Sequence, residues 1–287
     1  LGIKRKIEIM ETFNLLQLHK VETDIVSAQT RLSICLKANG FSFSLIRNDN
    51  QKLVALGCFE CDLSGTIPAV MNTVKQCFNS IGIKMFRFAK MKVICSTEKN
   101  TWIPYKLYDA AKNKDYLKTV SSLYENEIVI SNVSEKLDAV SVFAYPMHKY
   151  SGVKVLINQA EYCSQHQVLA EYAYDISKFS QNTLIVNKRE NVLDIALFKG
   201  NEFKMSNSIS YATNEDMIYN LLFILQQTEV DTEAVKLLLT GDNYDAEQLK
   251  MIRRYVKDVA YANPMENIKV GMEFDEVNLQ NYFLVIA

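Results

Sequence analysis

Few of the residue types that carry chemistry are spaced for it in this chain. The nine glycines, at positions 2, 40, 57, 65, 82, 152, 200, 241 and 271, are never closer than eight positions. No Gly-x-Gly-x-x-Gly loop, Walker-type phosphate loop or Gly-x-Ser-x-Gly nucleophile elbow can therefore form. The three histidines, His19, His148 and His166, are not at helical ligand spacing, which argues against a histidine zinc site. His166, between Gln165 and Gln167 of a helix, reads as a surface or half-buried residue. Cys58-Phe59-Glu60-Cys61 has the spacing of a redox or half-zinc motif, but no second pair accompanies it. Alternation places Cys58 at a strand end and Cys61 in the following loop, so the two read as ordinary thiols. A thiol function through this pair, abolished in a double Cys→Ser variant, is the weakest alternative. Asp231, Asp242 and Asp245 suggest paired carboxylates, yet Asp231 precedes a strand and Asp245 suits a helix N-cap. No catalytic or metal-ligating set is assigned.

The elements that position these residues belong to a large molecule. A length of 287 residues allows two ordinary domains or one large one, and 48% hydrophobic with 23% charged residues is the composition of a water-soluble globular protein. Lys and Arg number 32 against 33 Asp and Glu. Without a net field to gather a polyanion, neither nucleic acid nor a membrane is expected as a partner. The basic stretches Lys4-Arg5-Lys6 and Lys84 to Lys92 are short and read as solvated charge. Six cysteines in a chain of this length do not make a disulfide framework, and a reducing cytoplasm is the expected location. No uncharged apolar stretch is long enough to span a bilayer. Residues 1–11 are expected to be an N-terminal extension, with 1–9, ahead of Met10, either an extension or a start-site artefact.

Periodicity supplies the elements. Leu32 to Leu36 alternates, Asn39-Gly40 makes a tight turn, and Phe41 to Leu45 alternates again, which predicts a β-hairpin. A third strand follows from Leu53 to Phe59. Ile67, Val70, Met71, Val74, Cys77, Phe78 and Ile81 form the apolar stripe of a helix with Pro68 in its first turn. Extended segments are expected over Phe86 to Cys95, Trp102 to Pro104, Glu127 to Asn132 and Ala139 to Tyr145, and helices over Lys114 to Tyr124 and Ala160 to Ser177. The order then restarts. Strands at Thr183 to Val186, Val192 to Phe198 and Phe203 to Ile209 precede a helix with Ile218, Leu221, Leu222 and Leu225 on one face. A short strand, Val235 to Leu239, and a helix from Asp245 through Leu249, Ile252, Val256 and Val259 follow. The offset between the two runs is about 150 positions.

Two such units joined by a crossing helix resemble the actin-like ATPase fold. The wording of the chain also resembles an uncharacterised Bacteroidetes family with that fold. The resemblance is carried by Leu32 to Leu45, Trp102-Ile103-Pro104-Tyr105-Lys106-Leu107-Tyr108-Asp109, Asn182 to Gly200 and Leu237-Leu238-Leu239-Thr240-Gly241-Asp242. It implies an α/β protein of two duplicated ribonuclease-H-like domains, spanning 12–178 and 179–287. Each is a mixed sheet that starts with three antiparallel strands followed by helices. Active members of that superfamily hold nucleotide phosphates between two hairpin turns of Asp-x-Gly type, where backbone amides reach phosphate and the carboxylate organises Mg²⁺.

Here the first turn is Lys37-Ala38-Asn39-Gly40, with no carboxylate. The second is Asn187-Lys188-Arg189-Glu190-Asn191, with no glycine. Thr240-Gly241-Asp242 stands where a glycine pair would admit adenosine. If a nucleotide is bound, Lys37, Asn39, Gly40, Lys188, Glu190, Gly241 and Asp242 are the residues expected to hold it; otherwise the turns are solvated hairpin tips. The expectation is therefore a degenerate, non-catalytic actin-like protein without cofactor, acting through an unidentified protein partner or its own copy. The alternative is a divergent ATPase or kinase using ATP with Mg²⁺.

Overall fold

The computed structural model describes residues 13–20, 27–84, 88–179 and 182–287. The expected extension over 1–11, with its Lys4-Arg5-Lys6, and Phe86 of the expected strand to Cys95 lie outside the described residues. The first half begins with β1 (Phe13–Lys20), a strand that sequence periodicity does not announce, then β2 (Thr30–Lys37), β3 (Gly40–Arg47) and β4 (Leu53–Cys61). The helix α1 (Ile67–Ser80) follows, capped by the Thr66 hydroxyl with Pro68 in its first turn. Next come β5 (Lys90–Cys95), β6 (Asn100–Pro104), α2 (Asn113–Lys118), β7 (Glu127–Ser134) and β8 (Ala139–Pro146). The half closes with α3 (Met147–Leu156), β9 (Glu161–Ser164) and α4 (Gln165–Ser177).

The second half runs β10 (Asn182–Arg189), β11 (Val192–Lys199), β12 (Glu202–Ser210), α5 (Asn214–Gln227), β13 (Val235–Gly241), α6 (Ala246–Tyr255) and β14 (Asp258–Tyr261). A largely irregular segment then returns to a short final helix, α7 (Phe283–Ile286).

Two mixed sheets result, in the orders β1-β4-β3-β2-β5-β9 and β12-β11-β10-β13-β14. With β1 set aside the two orders coincide. In each, the first hairpin is antiparallel and the next two strands join in parallel. A third, small sheet, β6-β8-β7, is inserted between β5 and β9. Gly40 fixes the first hairpin, because its φ is +134° and a Cβ there would lie 2.0 Å from the Phe59 carbonyl oxygen. That is a position for glycine alone.

Both faces of each main sheet are covered. Leu32, Ile34, Phe41 and Phe43 pack against Val70, Val74 and Phe78 of α1 and Val153 of α3. Leu184, Ile195 and Leu237 pack against Leu221 and Leu225 of α5 and Ile252 of α6. The inner faces share a cover. Val168 of α4 and Tyr282, Val285 and Ile286 at the C-terminus meet the first sheet, while Leu169, Ala170 and Ala173 of α4 and Phe283 of α7 meet the second.

Four expectations need correction. Residues 161–164 are strand, because they pair in parallel with β5, and the helix starts at Gln165 with Ser164 as its N-cap. The helix expected over Lys114 to Tyr124 stops at Lys118, where the Thr119 hydroxyl turns back onto the Tyr116 carbonyl at 2.7 Å. Val256 caps the end of α6 and Val259 leaves it, because Val259 pairs with Leu237 of β13. Cys61 is the last residue of β4, paired with Phe13 of the edge strand, and not a loop residue.

Candidate functional site

A cavity of about 320 Å³ lies between the two sheets, at the ends of their first hairpins. Lys37 and Ala38 of the first hairpin, Lys188, Arg189 and Glu190 of the second, and Gly241-Asp242 after β13 all line it. So five of the residues expected around a phosphate, Lys37, Lys188, Glu190, Gly241 and Asp242, converge. Asn39 and Gly40 do not. Gly40 is buried in the hairpin, and Asn39 faces a separate groove with Glu60 and Cys61, its carbonyl accepting the Cys61 amide at 3.2 Å.

The second turn is engaged by its own chain. Glu190 has φ +46°, and its amide donates to Asp242 Oδ2 at 2.7 Å. The Asp242 amide in turn donates to the Lys188 carbonyl at 2.8 Å. Gly241, at φ +87°, allows this approach; a Cβ would stand 2.1 Å from the Lys188 oxygen. Lys188 Nζ donates to the Asn243 carbonyl at 2.6 Å and to Gln248 Oε1 at 2.7 Å. Gln248 belongs to the capping box that Asp245 forms at the start of α6. Arg189 donates from Nε and Nη2 to Asp194 at 2.8 and 3.1 Å. The turn is thus tied down by its own chain, with Glu190 and Asn191 exposed at its tip. On the other side, the Lys37 ammonium makes no hydrogen bond or ion pair within the described residues, and Lys149 Nζ donates to the Ala38 carbonyl at 2.9 Å.

Beneath the turn lies a polar core that sequence reasoning does not single out. Asp194, fully buried on β11, also accepts from Asn187 Nδ2 at 3.1 Å, Gln165 Nε2 at 3.2 Å and Ser208 Oγ at 2.5 Å. Its signal in the sequence is a carboxylate inside the apolar run Val192 to Phe198. His166 is fully buried, not at the surface, because α4 packs on β11 and β12. Its Nε2 lies 3.1 Å from Ser208 Oγ and its Nδ1 2.8 Å from Ser206 Oγ.

Serine, histidine and aspartate therefore meet, but the carboxylate takes the serine hydroxyl and does not orient the imidazole. That order is a structural network and not a nucleophilic triad. Burial lowers the His166 imidazole below its ordinary value, so it is neutral. Burial would raise Asp194, and it is the largest single influence, but the Arg189 hydrogen bonds and charge together with the Ser208 hydroxyl and the other neighbours outweigh it, holding the carboxyl below the usual range. Cys35, which lines the cavity, is pushed up to about 11 by burial and stays a thiol.

The C-terminal segment Gln280 to Leu284 forms the remaining wall. Tyr282 OH donates to Gln17 of β1 at 2.7 Å, the Ser44 hydroxyl donates to the Val285 carbonyl, and Gln280 Nε2 donates to the Ala262 carbonyl at 2.7 Å. The segment therefore bridges both halves. Nothing in its sequence, which has neither helical nor strand period, signals this role. Among the described residues no His, Cys, Asp and Glu cluster could hold a metal ion, and no helix is long and apolar enough to cross a membrane.

A family model described as a protein of unknown function, DUF3822, matches residues 20–259. The chain belongs to the DUF3822 family. A solved structure similar to this DUF3822 chain is a Bacteroides thetaiotaomicron protein described as having an actin-like ATPase fold and unknown function. It is 25% identical, with a TM-score of 0.75 over 91% of this chain and 97% of that one. A chain of the PilM–PilN type IV pilus biogenesis complex aligns with a TM-score of 0.52 at 10% identity, over 89% and 96% of the two chains. No curated protein matches. The DUF3822 chain thus has the actin-like ATPase fold, built on mixed α/β sheets, with the cavity between the sheets.

Proposed function

We propose that this chain is a non-catalytic member of the actin-like superfamily that works by binding another protein or a second copy of itself. One observation carries the reading: the Asp242 carboxylate occupies the Glu190 amide of the second hairpin turn. An amide there is what a phosphate would need, and a carboxylate at that place repels one. The engagement of Lys188 by Gln248 and of Arg189 by Asp194 removes two cations from the same task.

The matching strand orders of the two sheets support a duplication of ribonuclease-H-like units, over 12–178 and 179–287. Interaction is supported by a groove of about 720 Å³ between β6 and β12, each an edge strand among the described residues. Edge strands offer backbone groups to an extended segment. The similar PilM–PilN structure is itself described as a complex. The free cysteines suit a reducing cytoplasm. A second reading, a divergent ATPase or kinase, is favoured by the uncommitted Lys37 beside the cavity.

Phosphate release from Mg-ATP separates the two readings, read together with sedimentation velocity. The proposal expects no release above background in the wild type, and a self-associated species or a stoichiometric complex. Turnover lost in Lys37→Ala, from a monodisperse monomer, would overturn it.

A further inference from the structure

The two serines of β12 that meet His166 differ in where their protons go. Ser208 has one hydroxyl proton, and it is spent on Asp194, whose carboxylate can only accept. Toward His166 Nε2, 3.1 Å away, the Ser208 oxygen therefore accepts, which places the imidazole proton on Nε2. The buried ring is neutral and carries that single proton. Nδ1 is then a bare lone pair, and the Ser206 hydroxyl, 2.8 Å away, donates to it. Ser208 is committed to the carboxylate, whereas Ser206 ends the chain on a basic nitrogen. Two further observations mark Ser206. It is half-buried and lines the groove of about 720 Å³ beside Asn100, Trp102, Phe203 and Met205. Its backbone amide is also turned out of the sheet. The Tyr211 amide donates to the Asn191 carbonyl across the hairpin, so ladder alternation directs the amides of Ser210, Ser208 and Ser206 off the open edge of β12. The Ser208 amide, taken by Asn207 Oδ1 at 2.9 Å, follows that direction.

We propose that Ser206 is a covalent modification site, an acyl acceptor for activated carboxylic esters and thioesters, with His166 as its general base. The Ser206 oxygen attacks the carbonyl carbon of the donor: the O–C bond forms, the carbonyl electron pair moves onto oxygen, and the hydroxyl proton passes to His166 Nδ1. The outward Ser206 amide is placed to donate to that oxyanion. The transient imidazolium faces the Asp194 charge through Ser208, whose own proton stays where it is. When the oxyanion collapses, the bond from carbon to the leaving oxygen or sulfur breaks, and the leaving group departs with the proton from Nδ1. The products are the Ser206 ester, a free alcohol or thiol, and a His166 that is neutral again. The apolar lining of the groove, with Trp102, Val120, Leu137, Phe203 and Met205, suits an aliphatic acyl chain. The step ends at the ester, involves no nucleotide, and is independent of the reading of the chain as a binding protein.

The test is a time course of the whole chain with p-nitrophenyl butyrate, read by peptide mass spectrometry. A butyryl group on Ser206 is expected, absent in Ser206→Ala. Ser210 is the internal control. It stands on the same strand, is more exposed than Ser206, and has no imidazole beside it, so modification governed by access alone would reach Ser210 first. General-base assistance makes Ser206 faster by on the order of a hundredfold. A folded His166→Gln variant is expected to lose that advantage while Ser210 is unchanged. Should that variant fail to fold, the comparison of Ser206 with Ser210 in the wild type decides alone. No adduct on Ser206 of the folded protein, equal rates at Ser206 and Ser210, or an undiminished Ser206 rate in folded His166→Gln overturns the proposal.

Discussion

Asp194 and Arg189 decide the character of the second hairpin. A carboxylate with no solvent exposure, facing a guanidinium that is 28% exposed, leaves an uncompensated charge if the cation is removed. Breaking such a pair costs about 3–5 kcal/mol, so Arg189→Ala is expected to lose that much stability in urea unfolding. A loss below about 1 kcal/mol would show the pair to be a surface contact. The same network sets a pH dependence. Folded His166 titrates below its ordinary 6.5, so the unfolded chain takes up its proton first as pH falls. Stability is therefore full above pH 6.5 and declines below it. Asp194 is likewise depressed below its ordinary 3.8, and its contribution, present above that pH, is lost as pH falls through the folded value. A melting temperature that falls between pH 7 and 5, and falls less in His166→Gln, is the expected outcome of thermal scans. A flat profile would contradict it.

At the scale of elements, α7 helps to fill the space between the sheets. Phe283 is 1% exposed against Ile185, Phe198 and Leu238, and Phe283→Ala is expected to cost about 3–5 kcal/mol. Phe179, 90% exposed, is the control, with a change within about 0.5 kcal/mol; equal effects in denaturant titrations would refute the role of α7. That helix also shows where legibility ends. The hairpins of β2–β3 and β10–β11 and the helices α1 and α5 are local, so period, turn residues and caps announce them. The C-terminal wall, β1 and β9 exist because other elements receive them, and no local period encodes that. His166 is misjudged for the same reason: its neighbours are glutamines, and its burial comes from β11 and β12. The site was legible at its turns, where Lys188, Glu190 and Asp242 stand out against an Asp-x-Gly pattern. It was illegible at Asp194, whose partners come from three different elements, β10, α4 and β12.

At the scale of the whole molecule, two sheets of matching order enclose a cavity walled by both hairpins and the C-terminal segment. We propose that the nucleotide function of this cavity has lapsed, because the Glu190 amide, Lys188 and Arg189 serve the fold itself. Thermal unfolding with and without millimolar Mg-ATP tests this most directly, since a ligand at about 100 times its dissociation constant adds about 2.7 kcal/mol to stability. Superimposable curves are expected. A Mg-dependent rise of several degrees, lost in Lys37→Ala, would contradict it and return the cavity to nucleotide chemistry.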